Sequence, residues 1–167
     1  MNATGIFYGS SGGNTESVAK RIAQKLGVSD SDIYDVGSAK ASDLTAYNRL
    51  IFGSSTWGLG DLQDDWEGFI REIDRADLTG KKIALFGCGD SSSYPDTFCD
   101  AVGKIYQVVK DRATVIGFTD TAGYSFDASE AVVNNCFVGL VIDEDNESHL
   151  TETRIDRWVV QLKNEPA

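Results

Sequence analysis

The feature of the sequence that most limits its fold is an alternation of short apolar runs with amphipathic helical patterns. The runs are nearly continuous, whereas a strand with one face in water would alternate apolar and polar residues. They lie at residues 4–9, 32–36, 49–55, 81–89, 114–118 and 137–143. Helical patterns follow most of them, so the chain is expected to form an open, doubly wound α/β fold with helices on both faces of a parallel sheet.

Four helices are predicted from apolar side chains that recur at three- and four-residue spacing. Their apolar stripes are Val18, Ile22 and Leu26; Trp66, Phe69, Ile70 and Ile73; Phe98, Val102, Ile105 and Val109; and Ile155, Trp158, Val159 and Leu162. Gly27 is expected to end the first helix. Asp43 is expected to cap a further short helix, and Thr151 to cap the last one.

A long polar stretch at residues 119–135 separates the last two apolar runs. Loops of this length inside a compact domain are usually functional or inserted. The stretch is therefore expected to interrupt the fifth strand of a single domain that spans residues 1–167.

The charge of the chain limits its partners. Its net charge is −11, which argues against nucleic acid and anionic membrane surfaces, because both attract basic proteins. Partners with basic faces, or solubility alone, would account for the excess of acidic residues.

The cysteines indicate a reducing compartment. There are three of them, with no CxxC spacing, and the single histidine offers no metal cluster. Neither a disulfide framework nor a zinc site is expected. The sequence also shows no secretory signal and no apolar stretch long enough to span a membrane, so a cytoplasmic protein is expected.

Three loops at one edge of the predicted sheet share an unusual composition. They are GSSGGNTE at 9–16, STWGLGDLQ at 55–63 and CGDSSSYPD at 88–96. In open α/β sheets, ligands bind outside the carboxyl ends of the strands, where these loops would lie.

The first loop suits a phosphate group. It leads into a helix N-terminus, whose free N–H groups and dipole favour an anion, and its glycines permit close approach. It matches neither GxxxxGK[ST] nor GxGxxG, and it contains no Lys or Arg. A tight turn with a helix cap is the alternative interpretation.

The second and third loops each carry an aromatic residue outside any apolar stripe, Trp57 and Tyr94. Each could be a hydrophobic plug. Together, beside a phosphate loop, they favour a planar ring held between two aromatic side chains.

These motifs resemble the flavodoxins, small electron carriers that contain FMN. The resemblance runs essentially end to end through GSSGGNTE, STWGLGDLQDDWEGF, FGCGDSSSYPDTFCDAVG and FVGLVIDEDNESHLTETRIDRW, and residues 119–135 resemble the insertion of the long-chain group. It implies a five-stranded parallel sheet of order 2-1-3-4-5 with an interrupted fifth strand. It also implies a monomer that serves redox proteins such as flavodoxin or ferredoxin reductases and low-potential oxidoreductases.

The resemblance assigns the FMN contacts by position. Those at the phosphate are Ser10, Ser11, Gly12, Gly13, Asn14 and Thr15; those near the phosphate and ribityl chain are Ser55, Thr56 and Asp145; those at the ring and its edge are Trp57, Gly58, Leu59, Gly60, Cys88, Gly89, Asp90 and Tyr94. Trp57 would cover the inner face of the ring and Tyr94 the outer face, and Asp90 would accept from N3–H.

One position departs from the family. Gly12 stands where the family usually has threonine, so one hydroxyl contact to the phosphate is missing and weaker FMN binding is expected.

The resemblance also implies a mechanism. The carrier would pass through quinone, neutral semiquinone and hydroquinone states, and the carbonyl of the Gly58 peptide would accept a hydrogen bond from the N5–H group of the semiquinone. Acidic residues around the ring would make the second reduction occur at low potential.

Three other functions compete with this one. An FMN-dependent NAD(P)H:quinone oxidoreductase on the same fold would need open space over the flavin, where Tyr94 is expected. A receiver-type signalling domain would need acidic residues at 9–11 and 55–57, which are absent from the sequence. A structural α/β module without cofactor is the third alternative.

Overall fold

The computed structural model of the protein describes residues 3–165, and both ends of the predicted 1–167 domain lie outside that range. The strands are β1 (Thr4–Gly9), β2 (Ile33–Asp35), β3 (Arg49–Trp57), β4 (Asp61–Leu62), β5 (Lys82–Cys88), β6 (Thr114–Ile116), β7 (Thr119–Asp120), β8 (Val132–Val133), β9 (Cys136–Phe137) and β10 (Leu140–Ile142). The helices are α1 (Asn14–Leu26), α2 (Ala41–Leu44), α3 (Asp64–Arg75), α4 (Asp100–Val109) and α5 (Glu144–Asn164). Across residues 3–165, no helix combines the length and apolar character that a bilayer span requires.

The central sheet is parallel and its long strands follow the order β2-β1-β3-β5. Beyond β5 the edge strand comes in two pieces. β6 pairs with the first half of β5, with Thr114 opposite Lys82, and β10 pairs with the second half, with Ile142 opposite Cys88. The predicted order and the interrupted fifth strand are therefore confirmed, and the short β4 adds an antiparallel partner to the end of β3.

The apolar strands are continuous because both sheet faces are covered. Successive residues of β1 enter different cores: Ile6 packs with α1 and α5, and Phe7 packs with α2, α3 and α4. Neither side chain is accessible to solvent. This two-sided burial leaves the ends of the strands as the place where polar loops gather.

The insertion forms a small antiparallel sheet of order β7-β9-β8. It packs on α4 so closely that a Cβ at Gly103 would lie 2.3 Å from the carbonyl carbon of Glu130. The rings of Phe98 and Phe126 stack at 5.4 Å beside it. The inserted segment is thus joined to the main core.

Two predicted helix starts are wrong. Asp43 does not precede α2 but lies in its first turn, where its carboxylate accepts from the Lys40 backbone N–H at 2.8 Å. Thr151 lies inside α5, which begins at Glu144 directly after β10 and bends at Glu147. The acidic run at 144–147 resembles a loop in sequence, but carboxylates near the helix N-terminus are stabilised by the helix dipole.

Candidate functional site

A cavity of ≈ 290 Å³ opens at the carboxyl ends of β1, β3 and β5. It is lined by Ser10, Gly12, Asn14, Thr15, Ser55, Thr56, Trp57, Gly58, Cys88, Gly89, Asp90, Tyr94 and Asp145. All of these are among the residues that the sequence singled out, whereas Ser11, Gly13, Leu59 and Gly60 do not line the cavity. A larger open groove of ≈ 790 Å³ between α1 and β2 includes only Glu16 from the three loops, and neither Trp57 nor Tyr94 lines it.

The first loop presents an uncapped helix end to this cavity. Gly13 holds the N-cap position of α1, where no side chain caps the helix, and its own N–H donates to Ser10 Oγ at 3.0 Å. The Thr15 hydroxyl is buried in the first turn and has no hydrogen-bond partner of ordinary geometry within residues 3–165. A buried polar group in this condition is costly unless a ligand satisfies it, and an anion at the helix end would do so.

The second loop is a tight turn that exposes its aromatic residue. Trp57 ends β3 with 45% of its surface exposed, and its indole N–H donates to Ser55 Oγ at 2.8 Å. Gly60 closes the turn through its N–H to the Trp57 carbonyl at 3.1 Å. Gly58 and Gly60 both have positive φ, and a Cβ at Gly60 would lie 2.6 Å from Asp100 Oδ2. This combination of backbone angles and close contact requires glycine at position 60.

The third loop places a second aromatic side chain at the cavity. Tyr94 is 42% exposed, and its N–H donates to the Asp90 carbonyl at 2.9 Å, which folds the loop back. Two exposed aromatic rings on the wall of one polar cavity are suited to hold a planar ligand. Leu59 is 81% exposed outside the cavity.

Asp90 is held by a hydrogen-bond network. Its Oδ1 accepts from the N–H groups of Ser92 at 3.2 Å and Ser93 at 3.0 Å, and from Asn146 Nδ2 at 2.8 Å. Asn146 Nδ2 also donates to Asp143 Oδ1 at 2.9 Å. Burial opposes ionisation of Asp90, but the bonds from Asn146 and the two serines outweigh it, so the pKa of Asp90 lies below its usual value.

The rest of the cavity is electrostatically negative. Burial and the neighbouring carboxylates of Asp90, Asp143 and Glu144 raise the pKa of Asp145. Burial also raises the pKa of Cys88 to about 12, despite a smaller opposing effect of the Thr15 hydroxyl, so the thiol stays neutral. No Lys or Arg lines the cavity, and no cluster within residues 3–165 could hold a metal ion.

Two residues near the cavity were not predicted from the sequence. Gln63 is buried at 2% exposure, and its side-chain Nε2 donates to Ser11 Oγ at 3.1 Å. Asn146 connects Asp90 with Asp143. Each acts across a long sequence separation, so only the position of Gln63 directly before the helix at 64 could have drawn attention to it.

Known proteins share both the sequence and the fold. The flavodoxin family model matches residues 6–158. Flavodoxin 1 of Escherichia coli is 44% identical over 167 residues, which cover 99% of this chain and 95% of the relative. A flavodoxin of Nostoc is 46% identical over 162 residues, with 96% and 95% covered.

A solved structure has the same architecture. The crystal structure of Fusobacterium nucleatum flavodoxin bound to flavin mononucleotide matches with a TM-score of 0.90 at 27% identity, and the match covers 100% of both chains. The TM-score and the full coverage show that the two chains share one fold. This chain is a member of the flavodoxin family.

Proposed function

We propose that this protein is a one-electron carrier that holds FMN in the cavity at the carboxyl edge of the sheet. The observation that carries the proposal is the pairing of two features in one cavity. One is the uncapped end of α1, where the buried Thr15 hydroxyl has no hydrogen-bond partner of ordinary geometry within residues 3–165. The other is the pair of exposed rings, Trp57 and Tyr94. The first suits a phosphate and the second a planar ring, and FMN joins both groups by a short chain.

Different cavity residues would bind different parts of the ligand. The loop from Ser10 to Thr15 would bind the phosphate through backbone N–H groups and hydroxyls. Trp57 and Tyr94 would flank the ring, and the Asp90 carboxylate would accept a hydrogen bond from a ring N–H group. When bound, FMN supplies the redox chemistry, because its ring accepts electrons one at a time.

The negative charge around the cavity would lower the reduction potential of bound FMN. The carboxylates of Asp90 and Asp145 line a cavity that no Lys or Arg lines, and the buried Asp143 lies near enough to Asp145 to raise its pKa. Added negative charge on a ring in this setting is unfavourable, and flanking rings that exclude water strengthen the effect. We therefore infer a strongly reducing, low-potential carrier.

Carrier function is favoured over an NAD(P)H:quinone oxidoreductase. The exposed rings of Trp57 and Tyr94 both lie at the cavity, and a ring held between them would offer only its edge to a second substrate. Edge contact is enough for electron transfer but not for stacking a nicotinamide or quinone on the flavin. The relatives, moreover, are named flavodoxins.

Partners and setting follow from charge and cysteine chemistry. The net charge of −11 favours redox proteins with basic docking faces, such as flavodoxin or ferredoxin reductases and low-potential oxidoreductases. We propose a cytoplasmic monomer of one FMN-binding domain. Cys88, Cys99 and Cys136 are free thiols, as in a reducing compartment.

A visible absorption spectrum during stepwise anaerobic reduction tests the proposal. The purified protein is mixed with FMN and freed of excess ligand. A retained chromophore that develops a long-wavelength band after one electron per protein is the expected result. Retained flavin that bleaches directly with two electrons would instead support the oxidoreductase, and loss of all flavin would support a structural module.

A further inference from the structure

We propose that Gln63 is a positioning residue for the cofactor phosphate. Its side chain fixes the Ser11 hydroxyl as a hydrogen-bond donor and thereby raises the preference of the protein for FMN over riboflavin, which lacks the phosphate. This inference rests on the proposed function and identifies a residue that acts on the phosphate through another.

The orientation of the Gln63 amide is determined by Asp65. The Asp65 backbone N–H, which can only donate, gives a hydrogen bond to Gln63 Oε1 at 3.0 Å. The Asp65 carboxylate Oδ2 accepts from Gln63 Nε2, also at 3.0 Å. Both contacts require the same assignment of amide oxygen and nitrogen. Nε2 must therefore be the atom that faces Ser11.

That assignment dictates what Ser11 can do. A hydroxyl has one proton and two lone pairs, and Ser11 Oγ accepts from Gln63 Nε2 at 3.1 Å. The proton of Ser11 then points away from Gln63. Ser10 and Gly12, the residues on either side, line the cavity, and the Ser11 side chain is exposed beside them, so its proton is free to point toward an anion held by the loop.

Gln63 is held in place by tight packing. It is 2% exposed, and its backbone N–H donates to the buried Ser54 Oγ at 3.2 Å. A Cβ on Gly9 would lie 2.4 Å from Gln63 Oε1 and 2.6 Å from the Trp66 ring. Gly9 therefore makes room for the amide, and burial together with the hydrogen bonds to Asp65 restrains the side chain. A donor positioned before the ligand arrives binds without an ordering cost.

The chemistry of the loop makes this donor important. No cation lines the cavity, and position 12 has no side chain to offer a hydroxyl. Neutral donors must then carry the interaction with the phosphate, and hydrogen bonds to charged groups are the stronger kind. The connection from Asp65 through Gln63 to Ser11 supplies one of them.

The test compares two ligands that differ only in the phosphate. The full chain, freed of flavin, is titrated with FMN and with riboflavin while flavin fluorescence is followed. Gln63→Met should weaken FMN binding about tenfold, the loss expected for one hydrogen bond to a charged group. Riboflavin binding should stay within about twofold, because the ring contacts are intact. Gln107→Met, on the exposed surface of α4, is the matched control and should change neither affinity.

A second variant keeps the proposal testable if Gln63→Met fails to fold. Ser11→Ala alters an exposed side chain and should cause the same selective loss of FMN affinity. The double variant should be no weaker than the weaker single variant, because both remove one interaction.

Three results would overturn the proposal. They are an unchanged FMN affinity in Ser11→Ala, an equal loss for both ligands in Gln63→Met, and additive losses in the double variant. Failure of the unaltered protein to bind either ligand would contradict the proposed function instead.

Discussion

Gly12 has no side chain that could donate a hydrogen bond to the cofactor phosphate. A Cβ built there has no heavy atom within 4 Å, and its φ is not positive. A Cβ at position 12 therefore meets no clash. Gly12→Thr should tighten FMN binding about tenfold, because a hydroxyl donor to a charged phosphate is gained. Titration of the flavin-free protein measures it.

The matched control for this prediction is Gly12→Ala, which restricts the backbone but adds no hydroxyl. It should leave the affinity for FMN nearly unchanged. If Gly12→Ala tightens binding as much as Gly12→Thr, the gain comes from loop stiffening and not from a hydrogen bond.

Asp100 carries a charge that the fold opposes. It is buried beside Gly60, and burial raises the pKa of its carboxyl despite the Glu130 backbone N–H, which donates to Oδ1 at 2.7 Å. A carboxyl whose folded pKa lies above its unfolded pKa, about 3.9, binds more protons in the folded state. Stability contributed by the protonated form is therefore lost as pH rises.

The prediction concerns Asp100→Asn, which keeps the acceptor oxygen and removes the charge. The free energy of unfolding should increase at pH 7, and the gain should fade toward pH values below about 3.9, where both states of Asp100 are protonated. Denaturant unfolding at the two pH values measures it. A gain of equal size at both would show that charge is not the cause.

At the scale of elements, the sequence predicted the strands and helices that a local pattern of apolar residues marks. Continuous apolar runs gave the long strands, since both faces of β1 are buried, and apolar stripes gave four helices. The start of α5 was missed because Glu144 and Asp145 look like loop residues until they lie at a helix end.

The candidate site likewise contains some residues that a local pattern predicts and others that it does not. Trp57 and Tyr94 were predictable because each is an aromatic residue outside an apolar stripe. Gln63, by contrast, acquires its role from Ser11, which is 52 positions away in the chain. A local sequence pattern cannot predict a contact between residues that far apart in the chain.

Because the insertion packs closely on α4, a larger side chain at position 103 should destabilise the protein. Gly103→Ala would bring a Cβ against the Glu130 backbone at 2.3 Å, and overpacking of this kind costs about 1–3 kcal/mol. The free energy of unfolding should fall by that amount, measured in urea.

Gly68→Ala in α3 is the matched control, because a Cβ there has no neighbour within 4 Å. Alanine is the better helix former, so this variant should gain about 0.5–1 kcal/mol. A stable Gly103→Ala protein would mean that the insertion moves away from α4 without cost.

At the scale of the whole molecule, charge should govern encounters with partners. The net charge is −11, and Asp90 and Asp145 line the cavity from which electrons would leave. Electron transfer to a redox protein with a basic docking face should slow as salt rises from 0.01 to 0.1 M, where the Debye length falls from about 30 to about 10 Å. Stopped-flow mixing measures the rate, and a rate independent of salt would contradict electrostatic steering.

The two-piece edge strand has a consequence for the order in which the molecule is made. The ribosome makes β6 before β10, so Cys88 can pair with Ile142 only after residue 142 has emerged. Asp145 closes the cavity later still. A nascent chain therefore lacks a complete wall around the cofactor until residue 145 has been made. A chain cut short before residue 145 would therefore be expected to bind flavin more weakly than the full chain.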